Sequence, residues 1–337
     1  MKKLSRNKKI WLSLVIGFGF AVLIVAWYFL IGIQAFNGGS YYNKGENAIW
    51  LGHEWAQEPK SDFEIYLLVD SLSSRDISNL YVHCGPIGVD GRIDPARYHQ
   101  ILNFVEKVKI KDPSMNVYAW LGQVRNKLDL SDVRIRRNII NTSMLFTEVA
   151  DMEGIHFDIE PVWDEDKDFI LLLKEASERF GSDKKISVAL AEFIPNSVIW
   201  FTENIAEFEN YNTEMNYLNV AKYADQIVVM VYDTGIDSRF LYKWLVKEQV
   251  VWLTSLFEDE YGEMEGAAPE LLIGLPAYDE EKDGFDPFVE NVGTGMAGLI
   301  SGLNDIRSED QYFTGVALYA RWEMDPEEWR IYKALWQ

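Results

Sequence analysis

Gly154-Ile155-His156-Phe157-Asp158-Ile159-Glu160-Pro161 alternates polar and apolar side chains from Ile155 to Glu160. A period of two belongs to a β-strand, in which successive side chains point to opposite faces. Ile155, Phe157 and Ile159 therefore share one face, and His156, Asp158 and Glu160 the other. Three ionisable groups on one strand face are costly to bury without hydrogen-bond partners or a chemical purpose. Pro161 has no backbone donor and ends the strand, which leaves Glu160 at its C-terminal end.

Seven further runs of strand character surround this one: IWLGHEW from Ile49, NLYVHCG from Asn79, NVYAWLG from Asn116, KISVALA from Lys185, QIVVMVYD from Gln226, LLIGLPAY from Leu271 and TGVALYA from Thr314. Helical patterns lie between them. Asp94-Pro95 opens one that carries Ile101, Leu102, Val105 and Val108, and Asp325-Pro326-Glu327-Glu328 opens the last, with Trp329, Tyr332 and Leu335 on a face. Eight strands each followed by a helix is the pattern of an α/β closed parallel barrel, a (β/α)8 TIM barrel. In that fold the polar face of the fourth strand turns inward and Glu160 sits at the C-terminal rim, where active sites lie. An open doubly wound sheet would usually carry a glycine-rich phosphate turn after an early strand, and none is present. The acidic stretch Glu258–Glu265 is expected to be a solvated loop before the seventh strand.

Residues Ile10–Ile33 form an uncharged apolar run of about 24, enough to cross a hydrocarbon core as a helix. Lys2, Lys3, Arg6, Lys8 and Lys9 precede it with no acidic residue, which by the positive-inside rule keeps the N-terminus in the cytoplasm and exports the rest. The expected organisation is a cytoplasmic basic tail at 1–9, a single-pass transmembrane signal anchor at 10–33, a flexible tether at 34–46 and one barrel at 47–337 on the extracytoplasmic side of the cell membrane. Cleavage near Gln34-Ala35, giving a secreted form, is the alternative, although signal-peptide cores usually run to about 7–15 residues. Cys84 is the only cysteine, so no intramolecular disulfide staples the domain. The formal charge of −21 repels nucleic acid and anionic polymers, and a neutral ligand is the easier partner.

The window Glu153–Glu160 resembles the D-x-x-D-x-D-x-E signature that ends the fourth strand of family 18 glycoside hydrolases, the chitinases and their relatives. Asp158 and Glu160 match its last two acids, Glu153 is a conservative change at the first, and His156 replaces the second aspartate. Met230-Val231-Tyr232-Asp233 is similar to the M-x-Y-D that ends the sixth strand of that family, and Gly274-Leu275-Pro276-Ala277-Tyr278 to the G-L-P-x-Y of its seventh. Two positions depart from the pattern. The third-strand S-x-G-G becomes Trp120-Leu121-Gly122-Gln123, and the tryptophan that ends the eighth strand is Tyr319, with Trp322 three residues on.

The resemblance implies a retaining glycosidase assisted by its substrate, in which an acid protonates the glycosidic oxygen while the 2-acetamido oxygen attacks the anomeric carbon. It makes Glu160 the acid, Asp158 the carboxylate that orients the acetamido group and stabilises the oxazolinium, and Tyr232 the hydroxyl that holds its carbonyl. It also implies substrate contacts for Met230, Asp233 and Gln123. Trp120, Tyr319 and Trp322 are stacking surfaces for sugar rings or core aromatics. His156 is expected to hydrogen-bond Asp158 or to be a satisfied core histidine, and His156→Asp, which restores the family residue, is expected to preserve or raise activity. The implied ligand is an N-acetylglucosamine-containing polysaccharide or glycan. No metal or other cofactor is expected, because His53, His83, His99 and His156 lack ligand spacing. A sugar-binding barrel that has lost catalysis is the alternative, and retention of Glu160 argues against it. A glycosidase with opposed carboxylates would want a glutamate ending the seventh strand, where Pro276-Ala277-Tyr278 stands.

Overall fold

All eight apolar runs fold as parallel strands: β1 Asn47–Leu51, β2 Ile77–His83, β3 Asn116–Val124, β4 Gly154–Glu160, β5 Lys185–Leu190, β6 Gln226–Met230, β7 Glu270–Pro276 and β8 Phe313–Tyr319. Each pairs with the next in sequence, and β8 returns to pair with β1, which closes the barrel. The structure is a computed structural model and describes residues 17–19, 22, 38–164, 166–196, 211–262, 268–278 and 284–337. The principal helices follow the strands in turn: α1 Asp62–Ser73, α2 Tyr98–Lys111, α3 Val133–Met144, α4 Lys167–Phe180, α5 Glu214–Ala221, α6 Arg239–Tyr261, α7 Val292–Leu303 and α8 Pro326–Trp336. The expected membrane span at 10–33 lies outside the described residues except for 17–19 and 22; among the described residues no helix is long and apolar enough to cross a membrane.

Local chemistry sets several boundaries. Ser61 and Glu64 form a reciprocal capping box at the start of α1, and Asp325 and Glu328 do the same at α8, with Pro326 in its first turn. Three expectations are corrected. The first strand stops at Leu51 rather than running through Trp55, because Glu54–Gln57 turns into a short helix. Glu258 to Tyr261 are the last turn of α6, not loop, and Glu258 accepts a hydrogen bond from the Tyr312 hydroxyl at 3.0 Å; residues 263–265 lie outside the described residues. On α8 the buried side chains are Tyr332 and Trp336, while Leu335 faces solvent.

The two faces of β4 enter two cores. Ile155, Phe157 and Ile159 join the layer between barrel and helices, with Phe169, Leu172 and Leu173 of α4. Removing each such side chain from water contributes about 1.5–3 kcal/mol. Inside the barrel the filling is aromatic: Trp50 meets Tyr81 with ring centroids 5.2 Å apart, and Tyr81 meets Tyr118 at 5.7 Å. Near the site, Arg125 just after β3 makes a buried two-pronged ion pair with Asp166, at 2.6 and 3.0 Å. Asp166 also caps α4 by accepting from the Phe169 amide. This pair ties the loop after β3 to the segment that follows Glu160, and a planar guanidinium is suited to fixing both in one geometry.

Candidate active site

The C-terminal ends of β4, β5 and β6 enclose a cavity of about 630 Å³, within the range of small-molecule sites. Glu160 lines it, as do Met230, Tyr232 and Asp233 from the end of β6. Asp158 lies one pleat below Glu160 on the same strand face. Its Oδ2 accepts a 2.6 Å hydrogen bond from Trp120 Nε1, while its Oδ1 is buried with no partner among the described residues. Burial raises the Asp158 carboxyl, and the Trp120 bond works against that rise. Glu160 is raised well above the usual carboxylate range, first by lost hydration and then by the charges of Asp158, Asp233 and Glu192. It remains accessible from the cavity, so solvent tempers these effects, and the two neighbouring carboxyls titrate as a pair.

Aromatic rings build the adjoining wall. Tyr232 stacks on Tyr319 at 5.0 Å and 18°, and Tyr319 meets the edge of Trp322 at 5.7 Å. Trp322 is 46% exposed, a rim position rather than a core one. Asp233 has a positive φ of 58° and is hydrogen-bonded to Tyr278. Trp120 is buried and turns its nitrogen to Asp158 while its ring meets His83 edge-on at 4.3 Å, so it positions a carboxylate instead of offering a face for sugar stacking. Gln123 is spent on the backbone, donating to the Ile87 carbonyl and accepting from the Val124 amide, and is not part of the cavity wall.

The family model described as Glycosyl hydrolases family 18 matches residues 54–322. The chain belongs to glycosyl hydrolase family 18. Similar solved structures include a chitinase from Cycas revoluta in complex with (GlcNAc)4, 12% identical with a TM-score of 0.58, covering 87% of this chain and 100% of that one. The Group IV chitinase of Ostrinia furnacalis is 16% identical with a TM-score of 0.55, covering 86% and 99%. The spore cortex-lytic enzyme SleL of Bacillus cereus is 14% identical with a TM-score of 0.56, covering 87% and 74%. At these identities the likeness is one of fold. No curated protein sequence matches the chain.

Within this family 18 barrel, His156 does not do what its place in the motif suggests. The ring is fully buried and stacked on Tyr81 at 3.9 Å and 11°. Trp50 Nε1 donates to His156 Nε2 at 3.2 Å, so Nδ1 carries the proton and donates to Ser187 Oγ at 2.8 Å. The Ser187 and Tyr81 hydroxyls both donate to Gln226 Oε1, and Gln226 Nε2 donates to Glu270. Both ring nitrogens are therefore engaged away from Asp158, and burial lowers the His156 pKa to about 3, which keeps the ring neutral. The expected His156–Asp158 hydrogen bond is corrected accordingly: the network belongs to the barrel interior, not to the cavity. An aspartate at 156 has no proton for Ser187 when ionised and would bury a charge. His156→Asp is thus expected to lower unfolding stability by about 2–4 kcal/mol instead of raising activity. A thermal melt with no downward shift, or faster turnover, would contradict this.

Two acids escaped the sequence analysis. Glu192 follows β5 and lines the cavity, and Glu290 lies beneath Thr234, whose amide and hydroxyl both donate to its Oε1. Burial raises the Glu192 carboxyl to about 8 and the Glu290 carboxyl to about 7. A signal for Glu192 was available: it stands just past an apolar strand run, as Glu160 does. Glu290 precedes α7 by two residues and carries no pattern of its own. Among the described residues no group of three His, Cys, Asp or Glu side chains is arranged to hold a metal ion.

Proposed function

We propose that this family 18 protein is a retaining glycosidase that cleaves β-linked N-acetylhexosamine glycans, with the substrate's own acetamido oxygen as nucleophile. The observation that carries this reading is the pairing of Asp158 and Glu160 on one face of β4, with Glu160 and Tyr232 lining the cavity. Side chains two apart on a strand start about 6.6 Å from one another on the same wall, so they do not flank a sugar from opposite sides. Glu160, which holds its proton above the usual carboxylate range, donates it to the glycosidic oxygen. The acetamido oxygen bonds to the anomeric carbon as the leaving sugar departs. Asp158 balances the positive charge of the ring so formed, and its unpartnered Oδ1 supports that role. Water then attacks the anomeric carbon as its bond to the acetamido oxygen breaks, which restores the acetamido group, and gives a proton to Glu160. The chitinase of similar fold that holds (GlcNAc)4 supports the choice of ligand class.

The test is to incubate the full-length chain in detergent with N-acetylglucosamine oligomers, cell-wall glycan and a glycoprotein, and to measure new reducing ends. Release from at least one is expected. Binding without release from any would favour a sugar-binding barrel that has lost catalysis. The proposal includes a barrel tethered outside the cell membrane through residues 10–33. Protease added to intact cells is then expected to digest the barrel and leave a small membrane fragment, whereas a free domain in the medium beginning near Phe36 would indicate cleavage.

A further inference from the structure

A third acid opens into the cavity, and no step above uses it. Glu192 stands two residues past β5, lines the cavity and is only 6% exposed. Its backbone carbonyl accepts from the Asn212 amide, and among the described residues its carboxyl is hydrogen-bonded only by its own backbone amide. The two phenols close enough to feel its charge are engaged elsewhere, Tyr217 donating to the Ala191 carbonyl and Tyr242 to the Val231 carbonyl.

The surroundings decide the charge of that group. Asp233 and Glu290 bear on Glu192, Glu160 shares the cavity, and no lysine, arginine or histidine is among the described residues that line it. A buried carboxylate requires a cation or several N–H donors. The described residues that line the cavity provide no cation, and the carboxyl has a single N–H donor, its own amide. Burial above all, opposed by the bond from its own amide and aided by Glu290 and Asp233, pushes the carboxyl up to about 8, so the group is mostly the neutral acid at pH 7.

We propose that Glu192 is a further specificity-determining residue of this cavity, donating a hydrogen bond from its carboxylic acid to an uncharged sugar unit of the bound glycan. The inference rests on the glycan reading given above. A carboxylic acid offers one O–H donor beside an acceptor, the complement of a sugar hydroxyl or an acetamido carbonyl. Once ionised it only accepts, and it adds a charge to a cavity that already holds Asp233 and Glu160.

The test uses the full-length chain with Glu160→Gln, which removes the titration of that acid, and the same chain with Glu192→Gln added. An amide keeps a donor and an acceptor but does not titrate. Affinity for an N-acetylglucosamine tetramer is measured by calorimetry across pH. The first protein is expected to lose about fivefold to tenfold in affinity between about pH 7 and about pH 9.5, as the acid at 192 ionises and its donor disappears. The second is expected to match the first at pH 7 and to hold its affinity at the higher pH. A tenfold loss on adding Glu192→Gln at pH 7, or identical pH profiles, would overturn the proposal. So would tighter binding of the fully deacetylated, cationic tetramer that Glu192→Gln abolishes, because that would make Glu192 an ionised partner. Absence of sugar binding by both proteins at every pH would remove the glycan reading and this inference with it.

Discussion

Glu160→Gln is expected to fold and bind glycan as the parent chain does and to lower kcat by about 10²-fold or more, with little change in KM. The amide keeps the shape and hydrogen-bonding capacity of a neutral acid but has no proton to give the leaving oxygen. Stability is expected to hold or improve. A carboxyl whose folded pKa is raised favours the folded state at low pH and disfavours it progressively as pH rises from the unfolded value through the folded one. A glutamine at 160 escapes that cost, so the variant is expected to melt no lower than the parent near neutral pH and relatively higher above it. The same shift sets the activity profile. kcat/KM is expected to rise as Asp158 ionises and to fall as Glu160 loses its proton, and both limbs lie above the ordinary carboxylate range because both groups are raised. A glutamine variant with parental turnover would remove Glu160 from the mechanism, and a loss of folding would leave the parent's own pH profile as the deciding measurement.

What the sequence disclosed follows from what is periodic. β4 was legible to the residue, because strict alternation from Ile155 to Glu160 and the proline at 161 leave one reading. The other strands shifted at one end or both by one to four residues, most at β1, which stops at Leu51 where a short helix intervenes. Cross-strand partners have no linear trace. Trp120 lies 38 residues from Asp158 in sequence, yet the register of β3 against β4 sets Trp120 beside His156 and Gly122 beside Asp158, within reach of the indole nitrogen. His156 shows the limit of motif reasoning: its position pointed to the site, whereas its partners, Trp50 on β1 and Ser187 on β5, make it a joint of the interior. Glu192 stands one residue past the apolar run Lys185–Ala191, outside the alternation that marks Glu160.

Hydrolysis is expected to depend on the N-acetyl group. An N-acetylglucosamine oligomer should be cleaved about 10³-fold faster than its glucose counterpart, because without the acetamido oxygen the reaction loses a nucleophile already held next to the anomeric carbon. Asp158 and Glu160 cannot replace it, since both rise from the same wall. Asp158→Asn should lower kcat more than it raises KM, as the charge it removes matters most when the ring bearing positive charge has formed. Trp120 acts one step back, as a positioning residue: its indole holds Asp158 Oδ2 at 2.6 Å and opposes the rise in that carboxyl's pKa. Trp120→Phe is therefore expected to move the acid limb of the kcat/KM profile to higher pH, a change that a loss of packing alone would not produce. Equal hydrolysis of the glucose and N-acetylglucosamine oligomers would refute substrate assistance. It would require a second carboxylate opposite Glu160.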